Sequence, residues 1–145
     1  MEWKEEAIEK LKRYRAMQTA AKNIPEQICM LEHNAISLRS ASDLKVGGSG
    51  SVRGRENAMI NNLAERQELE WSLARVQQWL AVMNRGLDAL TPEEIIILQK
   101  MYLFPERGAV DRLCSDLGVE QATVYRKRDK ALHRFTVAMY GFPET

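Results

Sequence analysis

The chain of 145 residues carries 21 Lys and Arg against 20 Asp and Glu, which gives a formal net charge of +1. This length allows one domain or two small domains with a modest core, and the near-zero net charge excludes a strong overall field for attracting nucleic acid. Two cysteines are too few for a disulfide framework, and the lack of a hydrophobic signal region or a long apolar run predicts a soluble cytoplasmic protein without a membrane partner.

Two short amphipathic helices are predicted at the start of the chain. In residues 2–23, apolar side chains recur at three- and four-residue steps, and charged side chains occupy the other faces. Pro25 should end this helix or begin the next, because proline has no N–H to donate inside a helix. A second apolar stripe, Ile28–Leu38, predicts another helix from Pro25 to about Ser40.

Residues 42–54 interrupt the helical pattern. They contain the run Gly47–Ser51, which has no face to bury and predicts a flexible loop between helices. Lys45, Arg53 and Arg55 flank this run, so the loop has the charge to lie against a phosphate backbone. An ordinary solvated linker is the simpler interpretation, and we favour it.

A long helix is predicted from Arg55 to Asp88. Its apolar residues follow a heptad pattern: Leu69, Leu73, Val76, Leu80, Met83, Leu87 and Leu90. At ~1.5 Å per residue the helix would be roughly 50 Å long. A helix of this length must bury its seam against the N-terminal helices, a second copy, or both. We expect a homodimer through this helix.

The last third of the chain has strong signals for helix ends. Thr91 is suited to capping a helix, Pro92 to its first position, and Glu93 and Glu94 to the positive end of its dipole. Phe104–Gly108 breaks the pattern, and two helices follow, at about Ala109–Leu117 and Gln121–Tyr140. Gly141, Phe142 and Pro143 then provide a C-terminal stop.

The two C-terminal helices have the spacing of a helix-turn-helix. Gly118 lies between them, and glycine takes the positive φ of a helix end without steric cost. Residues 120–135 hold five basic and two acidic side chains, whereas residues 91–119 hold three basic and five acidic ones. A basic helix after such a turn is typical of proteins that read the DNA major groove. The alternative is a solvated basic face on a structural bundle.

The segment Leu90–Tyr140 resembles region four of bacterial sigma factors, and it is still more similar to the small phage late-transcription regulators of the ArpU and RinA kind. The resemblance is carried by three stretches: Leu90–Glu94, Leu117–Val119 and Val124–Gly141. Lys127 departs from the sigma pattern, which usually has an apolar residue there. The resemblance implies a DNA-binding domain in residues 89–145, after a helical oligomerisation or scaffold region in residues 1–88, and a role in regulating phage or prophage late genes.

The predicted DNA-binding residues lie on the outward face and shoulder of the last helix. They are Gln121, Ala122, Tyr125, Arg126, Lys127, Asp129, Lys130, His133 and Arg134. The first part of a recognition helix meets base edges, so Gln121, Tyr125 and Arg126 are the base-reading candidates, since Gln suits adenine and Arg suits guanine. Three residues are expected to hold phosphates: Lys127, Lys130 and Arg134.

Other chemistry has weaker signals. Arg128 projects near the apolar side, and we expect it to reach an acid on the preceding helix, either Asp111 or Asp116. Cys29 and His33 are four residues apart on one helix face, as in half of a zinc site, but no second pair at ligand spacing accompanies them. No constellation of catalytic residues is present. We therefore expect no enzyme activity, no metal and no cofactor.

The sequence predicts an all-α protein that regulates transcription by binding specific double-stranded DNA sequences as a dimer. No segment resembles sigma region two, so a regulator that contacts RNA polymerase is favoured over a replacement sigma factor. Two alternatives remain. A small terminase-like packaging subunit also joins a helix-turn-helix to an oligomerising segment, and a helical interaction module would bind only proteins.

Overall fold

The computed structural model describes residues 2–44 and 49–141, and within these ranges the chain is helical without any strand. The all-α prediction is confirmed. The elements are α1 (Trp3–Leu44), α2 (Ser49–Asp88), α3 (Pro92–Leu98), a π-helical turn (Gln99–Leu103), α4 (Ala109–Leu117) and α5 (Gln121–Tyr140). None of the helices in the described ranges combines the length and apolar character that crossing a membrane requires.

The first helix is continuous through Pro25, so the prediction of two N-terminal helices was wrong. Proline in a helix interior costs about 3 kcal/mol, because it removes a hydrogen bond and its ring clashes with the preceding turn. The apolar register nevertheless passes through this position without a break. Ala21, Ile24 and Ile28 follow one another at three- and four-residue steps and are all half-buried. The continuous spacing of apolar residues, which is visible in the sequence, therefore predicted the helix better than the proline did.

The predicted loop at residues 42–54 was too long. α1 extends to Leu44 and α2 begins at Ser49, so most of the polar, glycine-containing segment is helical. Adding residues to an existing helix is far easier than nucleating a new one, and this allows helices to extend past their apolar pattern. Residues 45–48, which include Gly47 and Gly48, lie outside the described residues, as do Phe142 and Pro143 of the predicted C-terminal stop.

The chain divides into two compact units. The terminal unit contains the residues up to Gln18 and those from Gln78 onward, and the hairpin unit contains Thr19–Gln77. This division differs from the boundary that the sequence indicated at residues 88 and 89. The reason is that the beginning of α1 and the end of α2 contribute buried side chains to the same core as α5.

The core of the terminal unit is apolar and well covered. Its fully buried side chains, which are at most 1% exposed, include Leu11, Met83, Leu98, Leu132 and Phe135. Tyr14 adds a polar link, since its hydroxyl donates a hydrogen bond of 2.7 Å to Asn84 Oδ1. Leu80 and Leu87 pack against this core beside the buried Met83 and Leu90. This half of the heptad seam is therefore covered by the chain itself, and a dimer requires another surface.

The hairpin unit consists of α1 and α2 side by side, and it buries little. Among its described side chains only Asn62 and Val76 are buried. Asn62 donates to the carbonyl of Leu31 across the hairpin (2.8 Å) and accepts from Arg66 Nε (2.9 Å). Because both polar ends of the Asn62 amide are satisfied, its burial carries no desolvation penalty for an unpaired group.

α2 and α5 approach closely at Gly86. A Cβ at this position would lie 2.6 Å from Phe135 Cδ1 and 2.7 Å from Met139 Cγ. Phe135 is fully buried, so its ring has no free space into which it can turn. Gly86 is thus required by packing, and this contact was not apparent in the sequence.

We predict that Gly86→Ala and Gly54→Ala change stability in opposite directions. Both glycines lie inside α2, but a Cβ at Gly54 would meet nothing within 4 Å. Gly54→Ala should raise the free energy of unfolding by about 1 kcal/mol through helix propensity. Gly86→Ala should lower it by about 1–2 kcal/mol, because the clash with Phe135 outweighs the same gain. Urea unfolding followed by circular dichroism measures both changes. If the free energy of unfolding changed in the same direction in both variants, the close contact between Gly86 and Phe135 would be contradicted.

Candidate nucleic-acid interface

The turn between α4 and α5 is built around Gly118. Its backbone is left-handed, with φ 66° and ψ 36°, and its N–H donates to the carbonyl of Cys114. The N–H of Val119 reaches the same carbonyl at 3.2 Å. A Cβ at Gly118 would meet nothing within 4 Å, so the backbone conformation, rather than lack of space, favours glycine here. The predicted turn and the bounds of both helices are confirmed.

An apolar cluster fixes the angle between the helices of this motif. Ile97 of α3, Leu113 of α4 and Val124 of α5 are each fully buried and pack together. α3 itself starts with a capping box, in which Thr91 Oγ1 accepts from the Glu94 N–H (3.2 Å) and Glu94 Oε1 accepts from the Thr91 N–H (3.0 Å). Packing against α3 and α4 therefore fixes the position of the start of α5.

The first half of α5 has an open outward face. Gln121, Ala122, Arg126 and Lys130 are all exposed there, as predicted. Arg126 makes only a long hydrogen bond, from Nη2 to Thr123 Oγ1 at 3.4 Å. Within the described part of the chain, no acidic side chain lies at ion-pair distance from Arg126 or Lys130. These two cations therefore need not leave an acid of the described residues before they meet an anion.

Two of the three predicted phosphate-holding residues already have acidic partners. Lys127 forms an ion pair with Glu93 of α3. Arg134 Nε lies 3.2 Å from Oε1 of Glu94, the carboxylate that also caps α3. Lys127 is the residue that departs from the sigma-factor pattern, and its contact with Glu93 explains how a charged side chain is accommodated between α3 and α5. Of the three, Lys130 is the one without an acidic partner among the described residues.

Arg128 does not bind either acid that the sequence suggested, and this prediction was wrong. Its Nε and Nη2 donate to Asp129 Oδ1 at 3.1 and 2.8 Å, and its guanidinium lies 4.9 Å from the centre of the Tyr125 ring. Asp116 instead pairs with Lys100 at 3.0 Å. The Arg128 guanidinium therefore contacts Asp129 and Tyr125 of its own helix, and it makes no ion pair with α4.

The second half of the predicted face borders the first turn of α1. Lys4 Nζ lies 3.2 Å from Asp129 Oδ2, and the Trp3 ring meets the His133 ring edge-on with centroids 5.7 Å apart. The residues line one shallow groove: Trp3, Lys4, Asp129, Lys130, His133, Arg134 and Val137. Trp3 and Lys4 were missed by sequence reasoning, because the only available signal, the apolar stripe of α1, assigned Trp3 to the core.

The contacts of Asp129 shift its ionisation. Partial burial opposes the charged carboxylate, but the hydrogen bonds from Arg128 and from Lys4 outweigh this effect and lower the pKa of Asp129 below its ordinary value of 3.8. Asp129 therefore stays negatively charged on a face that was predicted to bind an anionic polymer. Its charge is neutralised locally by Arg128 and Lys4.

No family model, curated protein or solved structure matches the chain. The resemblance to sigma region four and to phage late regulators thus rests on the quoted residues. Among the described residues no three His, Cys, Asp or Glu side chains come together as metal ligands, and Cys29 and His33 are both exposed on α1. The geometry around the start of α5 is therefore the main guide to function.

We predict that replacing Gly118 destabilises the terminal unit according to how well the new residue tolerates positive φ. Gly118→Ala should lower the free energy of unfolding by about 1–2 kcal/mol. Gly118→Asn should cost less, since asparagine visits the left-handed region more readily. The measurement is urea unfolding of both variants. Equal stability of the wild-type and Ala proteins would show that the turn does not require this backbone conformation.

We also predict that the Asp129 carboxyl titrates below pH 3.8 in the folded protein. Because the folded pKa is lowered, Asp129 stabilises the protein above its unfolded pKa, and this contribution is lost as pH falls through the folded pKa. Asp129→Asn should therefore be destabilising at pH 7 and progressively less so below about pH 4. NMR titration of the carboxyl carbon measures the midpoint directly.

A pair of lysine variants provides the control for this titration. Lys4→Ala should move the Asp129 midpoint upward, because it removes the hydrogen bond from Lys4 that, together with those from Arg128, favours the carboxylate. Lys12→Ala removes the same charge from an exposed position of α1 and should leave the midpoint unchanged. A midpoint at or above 3.8 in the wild-type protein would contradict the assigned contacts.

Proposed function

We propose that the terminal unit binds specific sequences of double-stranded DNA through the Gly118 turn and the first half of α5. The observation that carries this proposal is the exposed Arg126 at an early turn of α5, without an acidic partner among the described residues. In helix-turn-helix proteins this part of the second helix enters the major groove. An arginine there can donate two hydrogen bonds to guanine O6 and N7.

The contacts of the other predicted residues separate their roles. Gln121 and Ala122 are exposed at the first turn of α5 and can meet base edges beside Arg126. Lys130 lies about one turn further along, where a helix leaves the groove, and it fits a phosphate contact. Tyr125 is half-buried beneath Arg128, so it supports the face rather than reading bases. To bind a phosphate, Lys127 would have to leave its ion pair with Glu93.

In this proposal the protein regulates transcription in the cytoplasm, and the resemblance implies phage or prophage late genes as targets. In this proposal the protein acts beside a promoter and contacts RNA polymerase. No catalytic step, metal or cofactor is part of the proposed mechanism. The recognition energy comes from base contacts on α5 and from phosphate contacts around it.

One observation favours the alternative of a helical interaction module. Large apolar side chains are exposed in the hairpin unit, among them Met30, Ile36, Ile60 and Trp71. A failure to bind DNA even at low salt would select this alternative. A ring of eight or more copies in light scattering would instead favour the terminase-like packaging subunit.

The proposal predicts different effects for Arg126→Ala and Lys130→Ala. After selection of a binding site from a random duplex pool, both variants are titrated against the selected site and a scrambled duplex across a salt series. Arg126→Ala should lose about 1–3 kcal/mol on the selected site and little on the scrambled one. Lys130→Ala should weaken both duplexes alike and lower the salt slope by about one.

Lys12→Ala is the matched control, since it removes one positive charge from an exposed position of α1 in the same unit. It should leave both affinities unchanged. Equal losses on the two duplexes for Arg126→Ala would mean that Arg126 contacts only the backbone. If neither Arg126→Ala nor Lys130→Ala changes binding to either duplex, this face of α5 does not bind DNA.

A further inference from the structure

In the hairpin unit, the outward face of α2 carries an unusual uncharged stripe. Five residues at alternating four- and three-residue steps form it: Ile60, Ala64, Gln67, Trp71 and Ala74. All five are exposed, with Ile60 64% and Trp71 72% accessible. A helix face that meets only water usually carries charged side chains. This stripe has the spacing of a helix-packing seam and no charge along it.

The stripe lies on the side of α2 that points away from α1. Asn62 faces α1, because it donates to the carbonyl of Leu31. Trp71 is nine residues further along, which is about half a turn out of phase with Asn62 on a helix of 3.6 residues per turn. Trp71 therefore lies on a separate surface from the seam that closes the hairpin, whereas Ala64 also borders a groove that contains Leu31 and Leu38 of α1.

Two opposite charges border the stripe on one edge. Glu68 and Arg75 line a shallow groove together with Trp71 and Ser72. Neither has an ion-pair partner among the described residues. They are one heptad apart, so they are separated by a rise of about 10 Å along the helix, which is too far for a direct pair within one chain.

We infer that the Trp71–Ala74 end of this stripe binds the same segment of a second copy of the chain, with the two α2 helices antiparallel about a twofold axis. The edge is then complementary to itself, because Glu68 of each copy faces Arg75 of the other. This register places the axis beside Trp71, so Trp71 and Ala74 of the two copies pack together without burying a charge.

The poor burial within the hairpin unit supports a second copy as the partner. Two helices whose described side chains in this unit are buried only at Asn62 and Val76 gain little from packing against each other. Because Trp71 points away from α1, a second copy can bury this outer face of α2 without disturbing the hairpin. This inference does not depend on DNA binding, and it places the dimer contact away from the Leu80–Leu90 seam that the chain itself covers.

Charge exchange at the two edge residues tests the inference on the full-length chain by sedimentation equilibrium at low ionic strength. Glu68→Arg and Arg75→Glu should each weaken self-association about tenfold, since two attractive pairs per dimer become repulsive. The double exchange Glu68→Arg with Arg75→Glu should return the dissociation constant to within about twofold of the wild type. An equimolar mixture of the two single variants should also associate, because each copy then supplies the charge that the other needs.

Trp71→Glu and Ile36→Glu form a matched pair of variants that tests the apolar part of the proposed contact. Both replace an exposed large apolar residue of the hairpin unit with a carboxylate, but only Trp71 lies on the stripe. Trp71→Glu should weaken association at least about thirtyfold, as expected for an interface tryptophan, and Ile36→Glu should leave it unchanged. Circular dichroism checks that helicity is retained in each variant.

Four results would overturn the inference. The first is a strictly monomeric wild-type protein at tens of micromolar. The second is weakening by both single exchanges with no recovery in the double variant or the mixture, which would show that the two residues do not pair. The third is an equal effect of Trp71→Glu and Ile36→Glu, which would place the contact elsewhere. The fourth is assembly into a ring of many copies, which would exclude a twofold contact.

Discussion

Burial of Phe135 is the contact on which the terminal unit depends. Its side chain is fully buried, and it reaches α2 at the one position, Gly86, where no Cβ blocks the ring. Leu11 of α1 and Leu98 of α3 are buried in the same cluster. Because one face of α5 is committed to this core, its opposite face must point outward. The exposure of Arg126 and Lys130 follows from the packing on the other side of the helix.

Charge on α5 is reduced by its neighbours. Of its five basic side chains, Lys127, Arg128 and Arg134 each contact an acid within the terminal unit. Such partly exposed pairs contribute little to stability, typically below about 1 kcal/mol each. Their effect is on the surface potential, since they leave Arg126 and Lys130 as the cations of α5 without an acidic partner in the described part of the chain. A count of the basic residues on α5 therefore overstates the positive charge that a phosphate backbone would meet.

The two units differ in how they use helical periodicity. In the terminal unit the apolar positions of α1, α2 and α5 pack together and form a buried core. In the hairpin unit the same kind of spacing produces two stripes on α2, one directed at α1 and one exposed around Trp71. A seam that its own chain covers stabilises the fold, whereas a seam left open is available to a partner.

The sequence by itself determined the helical class, the Gly118 turn, the Thr91 cap and the bounds of α4 and α5. These features depend on local physics: apolar spacing, a left-handed backbone and capping side chains act within a few residues. It did not determine that α1 continues through Pro25, that Gly86 admits Phe135, or that Lys4 and Trp3 border α5. The contacts of Gly86, Lys4 and Trp3 required tertiary structure, because each joins residues 49 or more positions apart in the chain. The partner of Lys127 was decided in the same way, because the packing of α3 against α5 brings Glu93 within reach. Arg128 instead pairs with the adjacent Asp129 of its own helix.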